Sequence, residues 1–465
     1  MTETRGELIL IRHGKADPRE ESADDAQRQL TENGIKELKK ILPELKSHLE
    51  STSALELCSS SLVRAVQTAQ IIAGDLEINE IQQLDWIENG SYTRLYEKLK
   101  DLKPSASLIV VGHEPHLSDW ARQLTGFRIP FRKGTAVGFH IQPAEPLRAE
   151  PKWMILPETA DPQNLNIKRS QPALQAFQRI LRFQLHEIFI MLRKFIDAPD
   201  EPETAHQFRV RVRTFRSTLS FIKPLLGPEY YQTLQEQMKK LAQMMGRIRE
   251  IDVLKMEWVK LLETHPELVR EPSALTAVLA SERQKEQTKI YSSTSEMMAD
   301  LFNVWDWVEN AFVPEIITAT EAESRKKSEK EHSFENYSAN RVRRWIKQAN
   351  AGLQTMDTND FGSIHAMRIR FKKLRYALNA LNPLLELEKA ATILSMKKLQ
   401  DIFGDYCDTE RNLIILKELN DQHTGEKMSL ESGIMSGYQV RIGEENLDEI
   451  KRIDSLPFRT GSLNR

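Results

Sequence analysis

Leu8-Ile9-Leu10-Ile11-Arg12-His13-Gly14 decides the fold of the first part of the chain. Four consecutive aliphatic residues make a short buried strand, and the Arg-His-Gly that ends it falls where an open α/β sheet presents its ligand-binding groups. The glycine lets the backbone turn sharply beside the imidazole. Outward from this stretch, Leu55–Leu57, Ile78–Ile81, Leu108–Val111 and Ala136–Ile141 also read as strands. Residues 31–50, 62–73, 91–102 and 115–125 carry helical spacing between them. Strand–helix alternation predicts an α/β domain over 1–142. Prolines at 143, 146, 151, 157, 162 and 172 predict a linker over 143–172.

Two more segments complement the first histidine. Cys58-Ser59-Ser60-Ser61-Leu62-Val63-Arg64 opens a helix after a strand, and Gly112-His113 is a second strand-end turn. Together they supply two histidines and two arginines, enough to surround one phosphoryl group. These motifs, in this order, resemble the histidine phosphatase superfamily. The short interval from Arg64 to His113 resembles its small SixA-like phosphohistidine phosphatase branch, with a phosphoglycerate-mutase-like fold. The resemblance implies that His13 accepts the phosphoryl group, that Arg12, Arg64 and His113 hold its oxygens, and that neither metal nor cofactor is required. Glu88 lies in the segment where the family often places an acidic donor, and reads otherwise as a surface carboxylate. Lys15 reads as a residue that tunes substrate choice or faces solvent, and His116 as structural or exposed.

After residue 172 helical periods dominate to about 445. His206-Gln-Phe-Arg209-Val-Arg211-Val-Arg213-Thr-Phe-Arg216 aligns with His365-Ala-Met-Arg368-Ile-Arg370-Phe-Lys372-Lys-Leu-Arg375 at an offset of 159. Met238-Lys239-Lys240-Leu241 aligns with Met396-Lys397-Lys398-Leu399 at an offset of 158. Two segments sharing nearly one offset indicate a tandem duplication, with halves at about 173–320 and 335–445 and a tail at 446–465. His206, Arg209, Arg213 and Arg216 lie on one helical face, as do His365, Arg368, Lys372 and Arg375; each stripe is about 15 Å long. Phe208, Val212, Phe215 and Leu219 form the opposite, core-seeking face of the first helix. Met367, Phe371, Leu374 and Leu378 do so in the second. Neither basic stretch contains an Asp or Glu, so like charges repel along each helix unless an anion is supplied. Lys239/Lys240 and Lys397/Lys398 read as a second matched basic pair, and Arg182 and Arg343 as a third.

This region resembles the conserved histidine α-helical domain (CHAD). The resemblance is carried by the two His-x-x-Arg-x-x-x-(Arg/Lys)-x-x-Arg helices, Gly246-x-x-Arg249-Glu250-x-Asp252, and Phe403-Gly404-Asp405-x-x-Asp408. Glu250 departs from the usual aspartate, and Asp405 stands opposite the basic Arg247. The family implies two pseudo-symmetric helical bundles whose basic faces bind inorganic polyphosphate.

The chain has 465 residues, 65 basic against 67 acidic, a net charge of −2 and two cysteines. That composition excludes a globally basic protein and a disulfide scaffold, and it is expected of a cytoplasmic chain. No apolar run reaches the roughly 20 residues of a membrane span, and no signal peptide is expected. A phosphorylated protein or small phosphomonoester is the expected substrate, and polyphosphate a tether, regulator or substrate, with association to polyphosphate granules. Few aromatics interleave the stripes, which disfavours nucleic acid. The competing expectation is a non-catalytic polyphosphate-binding protein with a degenerate phosphatase domain.

Overall fold

A computed structural model describes residues 5–18, 24–49, 54–157, 165, 167–269, 272–310, 333–385, 390–423, 425–453 and 456. Its strands are β1 (Arg5–Arg12), β2 (Ala54–Ser59), β3 (Ile81–Gln83), β4 (Ala106–Gly112), β5 (Ala136–Gln142) and β6 (Arg148–Ile155). They form one sheet in the order β3-β2-β4-β1-β5-β6. The first four positions are parallel, and β5 is antiparallel to both β1 and β6. The N-terminal fold is thus α/β, as the alternation predicts. Period-two side-chain alternation serves both faces. Ile9, Ile11, Ile109 and Val111 join the core under α1 (Glu32–Leu49) and α2 (Val63–Leu76), while Leu8, Leu10, Leu108 and Val110 are equally buried on the other face. The later helices here are α3 (Asp85–Glu88), α4 (Tyr92–Lys100) and α5 (His116–Thr125).

The proline-rich stretch is not all linker: 148–155 within it is β6. Pro151 is compatible because β6 is an edge strand and the register shifts opposite it, between Gly138 and Phe139. Its alternation is masked by that proline, yet Trp153, Met154 and Ile155 are buried.

The remaining described elements are helical: α6 (Ala173–Asp197), α7 (Pro202–Ile222), α8 (Pro228–Met244), α9 (Gly246–Thr264), α10 (Ala274–Ser292), α11 (Thr294–Asn310), α12 (Phe334–Gln354), α13 (Phe361–Leu385), α14 (Ala390–Gln422) and α15 (Glu426–Lys451). α15 continues beyond 445, where the tail was expected, because Gly443 and Ile450 extend its buried face. Of the interval between the two expected halves, 320–335, residues up to 332 lie outside the described residues. None of the described helices is long and apolar enough to cross a membrane. Cys58 and Cys407 are free and buried.

The chain divides into two compact units that do not follow the sequence halves. One comprises residues up to 166 together with Gln178–Lys194 of α6 and Thr294–Val313. Within it, Phe302 of α11 packs on Phe189 of α6 at 4.8 Å and on Phe127 at 5.9 Å. Ser295 Oγ also donates to Glu150 of β6 at 2.7 Å. The other unit holds 195–293 and the rest of the C-terminal region. Trp258, Leu275, Leu279, Ile415, Leu419 and Met435 bind α9, α10, α14 and α15 into one core there. The duplicated halves differ locally: α8 ends and α9 begins around Met245, whereas α14 runs unbroken through the matching Gly404.

A buried carboxylate fastens this second core. Glu431, 1% exposed, accepts from Ser273 Oγ (2.7 Å), Ala274 N (3.1 Å) and Leu275 N (2.8 Å), so a residue of α15 caps the N-terminus of α10. Those amides have no intrahelical acceptors and favour negative charge. Glu431→Ala is expected to cost about 3 kcal/mol, since it strands buried donors. A lowered urea midpoint for loss of helical circular dichroism would report it, and Glu431→Gln should recover part of the loss.

Candidate functional site

Strand register assembles the site. Arg12 lies level with Gly112 across β1 and β4, and Ser59 level with Val111 across β2 and β4. The residues just past these ends, His13, Ser60 and His113, therefore share one edge of the sheet. His13 N donates to Gly112 O at 3.1 Å and Ser60 N to Val111 O at 3.2 Å. The turn itself does not need a glycine at 14; what a Cβ there would meet is the packing under α1, 2.6 Å from Leu38 Cδ1. Gly14 N donates to Thr68 Oγ1 at 3.1 Å, and Thr68 Oγ1 to Arg64 O at 2.7 Å, locking α2 to the turn.

His13 has a determined tautomer. Its Nδ1 lies 2.7 Å from Gly14 O, which can only accept, so Nδ1 carries the proton. Arg64 Nε donates to the remaining Nε2 lone pair at 3.3 Å. The His113 ring stands 5.1 Å from that of His13, centroid to centroid, with its Nε2 2.5 Å from Ser60 Oγ. Arg12 donates to Phe131 O at 2.7 Å, and its buried Nε has no hydrogen-bond partner among the described residues. The structure thus brings His13, Arg12, Arg64 and His113 together. Glu88 accepts from Ser61 Oγ, beside Ser60. His116 packs on Gly90, a structural position: a Cβ on that glycine would lie 2.1 Å from its Nδ1.

Burial pushes His13 down to about 3, with His113 and the arginines adding repulsion, and pushes His113 down to about 4. Both rings are neutral at physiological pH. They bind fewer protons than in the unfolded chain, so the stability they permit above pH 6.5 is lost as pH falls toward 4. Long-range 1H–15N spectra of histidine-labelled protein are expected to show neither ring titrating between pH 8 and 5.

Several neighbours have no sequence signature. Asp25 takes Arg64 through both its carbonyl (2.6 Å) and its carboxylate (3.0 Å), and pairs with Arg28 at 2.8 Å. Lys133 sits near Arg12, Arg28, Lys15 and Arg64. Partial burial draws its ammonium below the ordinary lysine value, and these cations lower it further. The loop carrying Lys133 is held by α6 and α11. Glu309 accepts from Arg132 at 3.1 Å and from Arg182 at 2.6 and 2.7 Å, and Asp306 accepts from Arg128 at 3.2 Å. Arg182 is therefore spent on Glu309 and is no counterpart of Arg343, which donates to Asn340 at 3.0 Å.

In the helical unit the two basic stripes meet. Phe208, Val212, Phe215, Leu219, Met367, Phe371, Leu374 and Leu378 are buried, as their spacing requires, and Arg213 of the first stripe lies near Lys372 of the second. Arg213 donates to Tyr376 Oη at 3.2 Å, and Arg213 and Arg375 lie 5.9 and 5.2 Å from the Tyr376 ring. Burial, then Arg213 and Arg368, draw Lys372 down to about 7. Burial and Arg213 draw Arg209 down to about 10. His206 is lowered by burial and by Arg249, and His365 by burial and by Arg368. Arg216 reaches Gln235 at 3.2 Å. Lys239, Lys240, Lys397 and Lys398 are exposed on α8 and α14. The stripes are not wholly free of acids, because neighbouring helices supply them: Asp408 of α14 holds Arg368 at 2.5 Å, and Glu250 of α9 faces Arg209. A cavity of about 1160 Å³ opens at the His206 end, but Asp200, Glu201, Glu203 and Glu263 share its lining with Arg249 and Lys255.

Residues 179–416 match the sequence model of the CHAD domain, half of the chain. The chain belongs to the CHAD family. Residues 8–114 match the histidine phosphatase superfamily (branch 1), so a histidine-phosphatase-like domain precedes the CHAD region. An uncharacterised protein of Picosynechococcus is 30% identical over 169 residues, which is 32% of this chain and 99% of that relative. The CHAD domain structure from the plant Ricinus communis is 20% identical, with a TM-score of 0.51, and covers 63% of this chain and 95% of its own. The protein histidine phosphatase SixA complexed with tungstate is 20% identical, with a TM-score of 0.29, over 32% of this chain and 97% of its own.

Proposed function

We propose that the protein is a metal-independent phosphatase working through a phosphohistidine at His13, joined to a CHAD region that binds inorganic polyphosphate. The observation that carries the reading is the imidazole's fixed tautomer: Nδ1–H is tied to Gly14 O, which leaves the lone pair on Nε2, where Arg64 Nε donates to it. A neutral, oriented imidazole is a competent nucleophile, and arginines at the same edge stabilise charge developing on the phosphoryl oxygens. Phosphomonoesters and phosphohistidine both suit such a site. For the CHAD region, two facing cationic stripes repeat bidentate donors along a track, which suits a linear polyanion. The deciding experiment measures phosphate release from an aryl phosphate by wild type and His13→Ala, with and without chelator. In parallel, long-chain polyphosphate binding is titrated. Turnover that is independent of His13, or abolished by chelator, would overturn the catalytic reading.

A further inference from the structure

Phe131 joins two parts of the site through its backbone alone. The residue is 2% exposed, so both its N–H and its C=O need partners inside the protein. The carbonyl accepts from Arg12 Nη1 at 2.7 Å, the one hydrogen bond of that guanidinium among the described residues. The N–H donates to Glu114 Oε1 at 2.8 Å. Glu114 directly follows His113, and α5 fixes its carboxylate from the other side. Ser118 Oγ donates to Oε1 at 2.6 Å and lies 2.7 Å from Ile129 O, while Ser118 N reaches Oε2 at 3.4 Å. The carboxylate therefore pins residues 129–131 to the turn that carries His113, and the same stretch holds Arg12. Arg64 is held differently, because Asp25 bonds its guanidinium directly at 3.0 Å. A carboxylate bonded to Arg12 in that way would occupy donors that a phosphoryl group needs. Acting through Phe131, Glu114 leaves the other amino group, Nη2, to a substrate.

We propose that Glu114 is a positioning residue that aims the Arg12 guanidinium at the phosphoryl group through the backbone of Phe131. The proposal rests on the phosphohistidine reading, in which Arg12 stabilises charge on the phosphoryl oxygens. What Glu114 supplies is an acceptor at a fixed reach. Without it the buried Phe131 N–H is stranded. The segment then shifts toward another acceptor, and the carbonyl that holds Arg12 moves with it. Misplacing a catalytic group by about 1 Å costs up to about 10²-fold in rate.

The test measures phosphate release from an aryl phosphate by the full-length protein, with circular dichroism as the check on folding. Glu114→Gln keeps an oxygen for Phe131 N and should stay within about threefold of wild type, whereas Glu114→Asp keeps the charge, falls one methylene short and should lower kcat/KM at least about tenfold. In an Arg12→Lys background, whose ammonium has no fork to aim, Glu114→Asp should change kcat/KM by less than about twofold. A Gln variant as slow as the Asp variant, or slower, would overturn the proposal by making the charge the needed property. An equal loss from Glu114→Asp in both backgrounds would overturn it too, since general damage to the site does not depend on Arg12. Either result leaves the phosphatase reading standing. A wild type without turnover would overturn both.

Discussion

His13→Ala is expected to lower phosphate release from an aryl phosphate by at least about 10³-fold, since removing a nucleophile eliminates the covalent route rather than weakening it. The fold should tolerate the change. His13 makes one side-chain contact to its own neighbour's carbonyl and receives one from Arg64, and its backbone bond to Gly112 persists in alanine. Circular dichroism should therefore match wild type, and long-chain polyphosphate affinity should stay within about twofold. Arg64→Ala should cost about 10²- to 10³-fold, because the guanidinium touches Nε2 and, in the proposed reaction, would stabilise charge on the phosphoryl oxygens. A 32P-labelled adduct that is acid-labile and base-stable, present in wild type and absent in His13→Ala, would identify the intermediate.

Neutralising Arg209, Arg213, Arg368 and Lys372 together is expected to reduce polyphosphate affinity by at least about 10²-fold at low salt. The slope of log affinity against log salt should flatten by about 3, because each lost phosphate contact removes about one released counterion. Filter binding at several salt concentrations measures both. Unchanged affinity would remove the stripes from the binding surface. Lys372 adds a pH dependence. With its value near 7, it is a cation below neutrality and loses charge above it, so wild-type affinity should fall as pH rises from 6 to 8. Lys372→Arg should flatten that fall.

Legibility in the sequence followed how local each determinant is. Leu8–Gly14 declares its strand and turn within seven residues, and the i, i+3, i+7, i+10 arginines declare a helical face in eleven. Their opposite faces are buried as the period demands. Pro151 hid β6, because nothing in its own stretch says that a neighbour's register shift will accommodate it. Asp25, Lys133 and Glu309 stayed invisible for another reason: each lies close to residues far away in sequence, and no periodic pattern announces that pairing. The acid-free reading of the stripes failed in the same way. A helix lists its own charges but not those of Asp408 or Glu250 on the helices facing it.

The placement of α6 and α11 bears on how such a chain can evolve. Most of the 178–194 stretch and all of α11 fall inside the residues that match the CHAD family, yet they belong to the unit of the N-terminal sheet, and Glu309 accepts from Arg132. A gene fusion ordinarily remains reversible, because a stop codon between the partners releases each intact. Here a stop codon after residue 166 would strip the N-terminal unit of helices encoded downstream. Recombination that swapped in another CHAD gene would have to bring a compatible acid at 309 and aromatic at 302. The fusion is a ratchet: once helices encoded within the CHAD-matching stretch became part of the N-terminal unit, that unit could not be inherited without them.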